Sequence, residues 1–105
     1  MTTDDPRLAE VLRIYAEHPL AAGDVVLLLD GLVCLELPGL ADEWDDELRH
    51  STSHVLRETA GVVVLAVARP GAGLLPQDHR LWRELHDELR GSQVELAPAR
   101  ALPAA

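Results

Sequence analysis

The chain has 105 residues, with 18 Asp plus Glu against 9 Lys plus Arg, a formal net charge of −9 and 48% hydrophobic residues. A single domain of this length buries roughly two-thirds of the surface its unfolded chain exposes, so a real core is within reach. All the basic residues are arginines scattered along the chain, which excludes a phosphate-tracking basic patch and, with it, nucleic acid as the main partner.

No apolar run approaches the ~20 residues of a membrane span, and Met1 to Arg7 holds no apolar leader core. The expectation is a cytoplasmic protein with no membrane partner. The absence of Lys, Phe and Asn fits GC-rich codons and a bacterial genome of high GC content. The single cysteine, Cys34, cannot form an internal disulfide, and its apolar sequence neighbours predict a buried thiol in a reducing compartment.

Asp4-Asp5-Pro6 opens the first helix, because Asp5 is a good N-cap and Pro6 suits the first helical position. Leu8, Val11, Leu12 and Tyr15 recur at helical spacing to about Glu17, and His18-Pro19 ends the pattern. Two apolar runs follow, residues 25–29 and 32–37, separated by Asp30-Gly31, the pair that type I′ hairpin turns favour because both central positions need positive φ. Residues 41–60 read as one helix with Trp44, Leu48, Val55 and Thr59 on a common face. The acids Asp42, Glu43, Asp45, Asp46 and Glu47 crowd its start, and Gly61 stands at its stop.

Residues 62–68 contain no polar side chain, the pattern of a central strand covered on both faces. A Pro-Gly loop, residues 69–73, precedes a helix opened by Pro76, with Leu81, Trp82, Leu85 and Leu89 on one side and Gly91 at its end. Residues 94–97 form a last short strand, and the Ala/Pro tail 98–105 is expected to be irregular, like residues 1–5. No repeat is visible. The fold class is a single-domain α/β sandwich of about four strands and three helices, an N-terminal hairpin followed by a parallel β-α-β-α-β unit.

Four groups of residues could carry chemistry. His50 and His54 lie four apart on a helix face, a spacing that can hold a metal ion but lacks a third protein ligand in the sequence. Arg69, Gly71 and Gly73 follow the central strand, where open α/β sheets bind ligands, and Asp78 opens the next helix; no P-loop or dinucleotide fingerprint accompanies them. Ser51, Thr52 and Ser53 with Asp78, His79 and His86 offer triad residue types, but no Gly-x-Ser-x-Gly elbow exists and no catalytic residue is assigned. Trp44 and Trp82 sit at helix edges, where they either complete the core or meet a partner.

The order hairpin, helix, strand, helix, strand over about Asp24 to Leu102, with Leu35-Glu36-Leu37-Pro38-Gly39 before an acidic helix, resembles the anti-sigma-factor antagonist (STAS) domains of bacteria. The resemblance implies a regulatory role switched by phosphorylation of a serine at the start of the helix after the central strand. Here that place reads Pro76-Gln77-Asp78-His79, with no Ser or Thr between Arg69 and Arg90, so the switch is missing and Asp78 supplies at most a fixed negative charge.

Because a fully apolar strand in so short a chain leaves apolar surface to be covered, the sequence points to a non-enzymatic interaction or regulatory module, working without a cofactor as a homodimer or with a stable protein partner. The alternative is a small-molecule or phosphoryl-ligand site, or an enzyme, built on the loop 69–73.

Overall fold

The apolar run 62–68 lies at the centre of a five-stranded mixed sheet in the computed structural model, which describes residues 6–29 and 33–105. The elements are α1 (Pro6–Glu17), β1 (Val25–Leu29), β2 (Val33–Leu37), α2 (Leu40–Glu43), α3 (Asp46–Arg57), β3 (Gly61–Arg69), a 3-10 turn at Pro70–Ala72, α4 (Pro76–Glu88), β4 (Val94–Leu96) and β5 (Arg100–Pro103). The α/β class holds. β3 pairs antiparallel with β1 and parallel with β4 and β5, and β1 pairs antiparallel with β2, so the sheet runs β2-β1-β3 with β4 and β5 sharing the far edge.

Side-chain alternation along the two inner strands divides the core in two. Val63, Leu65 and Val67 of β3, with Val25 and Leu27 of β1, pack under Leu40, Leu56, Leu81 and Leu85 from α2, α3 and α4. Val64, Ala66 and Ala68, with Val26 and Leu28, pack under Leu8, Val11, Leu12 and Tyr15 of α1. Each buried Leu or Val contributes about 1.5–3 kcal/mol relative to exposure. The small residues Ala66 and Ala68 fall on the face that a single helix covers. Arg49 of α3 ties the other layer together, its guanidinium lying 3.3 Å from both Glu84 and Glu88 of α4.

The structure departs from the sequence reading at four places. The helix expected over 41–60 is two helices, because Asp45 adopts an extended conformation and its carboxylate accepts the Leu48 N–H at 2.8 Å, capping α3. That break resets the helical phase. Leu56 and Ser53 point inward, and Val55, read as a core residue, is 50% exposed.

The tail expected to be irregular contains β5, which pairs with Ala66 to Arg69 and buries Leu102. Ala-Pro composition carries no strand signal, but the second half of β3 would otherwise lack a partner on that side. Between β4 and β5 the register slips by one residue, so Ala97, Pro98 and Ala99 oppose only Val64 and Leu65.

In the hairpin the register sets Leu29 opposite Val33, not opposite Leu32 as the sequence reading implied; the Asp30-Gly31 turn itself lies outside the described residues. Finally, Cys34 is exposed, not buried. β2 is an edge strand of the described sheet, and on that face the Tyr15 hydroxyl of α1 donates to Glu36 at 2.6 Å. Partial desolvation, then the nearby Glu36 carboxylate, raises the Cys34 thiol pKa, which favours the thiol over the reactive thiolate. Among the described residues no helix is long and apolar enough to cross a membrane.

The phase of α3 has a direct consequence. Leu56→Ala should cost about 2–5 kcal/mol in urea unfolding, whereas Val55→Ala should stay within about 0.5 kcal/mol of the wild-type value. The reverse order would show that the helix is rotated.

Candidate functional site

The carboxyl end of the central strand, where ligands of open α/β sheets bind, is occupied by the protein itself. Arg69 ends β3 with a buried side chain. Its Nε donates to Asp78 Oδ2 at 2.9 Å and its Nη2 to Asp78 Oδ1 at 2.7 Å, a bidentate pair with a carboxylate that is 0% exposed. Asp78 is the third residue of α4, and its Oδ2 also accepts the Leu75 N–H at 2.8 Å, so one carboxylate closes the helix start and neutralises the arginine. Arg69 Nη1 reaches Asp42 Oδ1 of α2 at 3.1 Å, and Gln77 donates to the same oxygen at 2.9 Å.

Gly23 makes room for this cluster. Its φ is +91°, and a Cβ there would collide with the Asp42 carboxylate. Burial pushes the Asp78 pKa up, but the Arg69 hydrogen bonds, the Leu75 N–H and the arginine's charge outweigh it and hold the carboxyl below its ordinary value. Arg69 is held above its own ordinary value, first by the Asp78 hydrogen bonds, which outweigh desolvation, then by Asp42.

The structure brings together Arg69 and Asp78, both singled out in the sequence, and turns them on each other. The guanidinium is already engaged by Asp78, and an incoming anion has to displace Asp42, whose side chain is 49% exposed. Gly71 and Gly73 are exposed, with open space around the position of a Cβ; Gly71 has a φ of +72°, which the turn itself requires. Asp42 and Gln77 went unnoticed in the sequence, since nothing in their spacing reveals a contact across 27 or 35 positions.

A second site lies at the opposite side of the sheet. β2 is an edge strand of composition Val-Cys-Leu-Glu-Leu, with Val33 55% exposed. Between it and α3 runs a cleft of about 380 Å³ whose floor is Leu27, Leu35 and Leu37 and whose wall is Leu48, Val55 and Leu56, with Ser51 and Thr52 as the polar members of its lining. α3 packs over the inner strands and leaves β2 partly uncovered on this face. The signal in the sequence was a second hairpin strand with one charged residue in five.

The remaining candidates are dispersed. His50 and His54 are exposed on α3; a ring nitrogen of His50 lies 2.7 Å from the Asp46 carbonyl, and His54 lies 3.7 Å from Glu58. Among the described residues no group of three or more His, Cys, Asp or Glu gathers as metal ligands. Ser53 donates to the His50 carbonyl, the usual local bond of a helical hydroxyl. Trp44 donates to Glu84 at 3.3 Å, and Trp82 donates to the Ala97 carbonyl at 2.8 Å and stacks on His86 at 4.8 Å between ring centroids. Both rings pack on the edge of the core, away from the cleft.

The buried pair sets an acid limb to stability. Because the folded-state pKa of Asp78 lies below the ~3.9 of an unfolded aspartate, its contribution is complete above about pH 4 and is lost as the pH falls through the folded value. Arg69→Met should cost about 3–5 kcal/mol by stranding the carboxylate. Asp78→Asn should flatten the decline of stability below pH 4 in urea titrations run from pH 7 to 2, and an unchanged slope would contradict the ion pair.

Comparison with known proteins adds no relative: no family model, no curated protein and no solved structure matches the chain.

Proposed function

We propose that this chain is a non-enzymatic protein-interaction module that receives an extended polypeptide along β2, with apolar side chains of the guest entering the cleft beside α3. The observation that carries this reading is a largely apolar strand at the edge of the described sheet, standing next to an apolar cleft of about 380 Å³. Strand addition gains affinity from backbone hydrogen bonds and specificity from pockets for alternate side chains. The anion-binding alternative at Arg69 is weaker because the guanidinium already holds two carboxylates.

The net charge of −9 favours a protein partner over nucleic acid, and the single cysteine, with no disulfide to protect, fits the cytoplasm. Under the resemblance to STAS domains the module acts as a constitutive regulator, since the place of the switch serine is held by the buried Asp78.

A displayed library of extended peptides provides the test. Selection against the purified chain should enrich peptides with alternating apolar residues, and their binding should be lost in Leu35→Lys and retained in Gly73→Ala. No enrichment, or enrichment of ligands sensitive to residues 69–73 only, would contradict the proposal.

A further inference from the structure

We infer that the polypeptide received in the cleft beside α3 is basic: an extended segment whose alternate apolar side chains fill the cleft and whose lysine or arginine lies over Glu43 and Glu47. This rests on the interaction reading above and adds the chemistry of the partner.

The five acids within residues 42–47 differ in what they do in the fold. Asp42 accepts from Arg69, Asp45 caps the Leu48 N–H and Asp46 pairs with Arg49 at 3.1 Å. Glu43 and Glu47 are exposed and form no ion pair among the described residues. The arginines of α3 are turned toward α4, where Arg49 lies 3.3 Å from both Glu84 and Glu88 and Arg57 donates to the Glu88 carbonyl. No arginine is among the residues lining the cleft.

Both acids stand at one end of the cleft. Through β1, Leu37 is level with Val67 of β3 and Cys34 with Val64, so the C-terminus of α3, which leads into Gly61, lies toward Val33, and its N-terminus lies toward Leu37. Glu47 is one turn before Ser51 of the cleft lining and on the same face of the helix. The Glu43 carboxyl carbon lies 3.7 Å from the position a Cβ would take on Gly39, at the turn that leaves Leu37. Val55 and Val33, 50% and 55% exposed, stand at the other end.

A guest therefore meets aliphatic side chains along its length and uncompensated negative charge at one end. An apolar cavity of about 150 Å³ takes up benzene, so a cleft of about 380 Å³ has room for two branched aliphatic side chains. Side chains on one face of an extended segment recur every second residue, the spacing of Leu35 and Leu37 in the floor. The guest pattern, read from the Val55 end to the Glu43 end, is apolar, any, apolar, any, Lys or Arg. The same carboxylates disfavour a second copy of this chain, which also carries −9, and they disfavour an anionic membrane.

The test is fluorescence anisotropy with three peptides that share alternating leucines and threonines and end in two lysines, two glutamines or two glutamates. At low salt the lysine peptide should bind about tenfold more tightly than the glutamate peptide, and the gap should narrow as salt screens it. The double variant Glu43→Gln, Glu47→Gln should remove most of that gap and leave the affinity for the glutamine peptide unchanged. The double variant Glu10→Gln, Glu17→Gln makes the same change in net charge on α1, across the sheet, and should keep the gap. Lysine and glutamate peptides that bind equally, or a gap that Glu10→Gln, Glu17→Gln removes as well, would overturn the basic partner while leaving the interaction reading in place. Failure of all three peptides to bind would overturn both. A mass that doubles with concentration, and does so only without Leu35→Lys, would put a second copy in the cleft and overturn the inference too.

Discussion

A nine-residue strand with no polar side chain before its last residue cannot meet water on either face, and β3 is such a strand. Its cover decides the architecture. Large residues at 63, 65 and 67 face the layer of α2, α3 and α4, while Ala66 and Ala68 let α1 pack closely on the other side. β1 takes one edge, and a broken strand made of β4 and β5 takes the other. Among the described residues this enclosure is complete around β3, whereas β2 ends the sheet on the other side and is partly buried on one face only.

The enclosure is locked where β3 ends. Arg69 joins the sheet to α4 through Asp78 and to α2 through Asp42, so one guanidinium fixes the exit of the central strand and the starts of two helices. A buried ion pair offsets the desolvation of its charges only when the geometry is good and the remaining lone pairs are satisfied. Here the fork is bidentate and the Leu75 N–H takes a further lone pair. The same arrangement explains why the position that topology marks for a ligand is unpromising as a binding site, and why the two edges of the sheet differ: stabilising residues are concentrated around β3, α4 and the β4–β5 edge.

Much of the fold was legible in the residues. The first helix, the central strand and the helix opened by Pro76 each carry a long periodic pattern with a cap or stop, and their bounds are nearly those observed. The misreadings have a common cause, since each depends on tertiary context that period and composition do not record. Asp45 looks like one more acid in a helix start until its side chain is seen on the Leu48 N–H. The Ala/Pro tail becomes a strand only because β3 has an edge to fill. Cys34 has apolar sequence neighbours but belongs to an edge strand, and strand order is not encoded in alternation. Arg69 and Asp78 stood out as charged residues flanking a Pro-Gly loop, but their contact and that with Asp42, brought in by α2, appear only in the fold.

The contrast between an enclosed central strand and an edge strand is the claim on which the rest stands, and amide exchange of the dilute chain measures it directly. The account predicts that the amides of Val64, Ala66 and Ala68 exchange only through global unfolding, while that of Glu36 on the edge strand exchanges much faster. Strong protection of the Glu36 amide at concentrations where the chain is monomeric would contradict it, because the β2 edge would then already be covered.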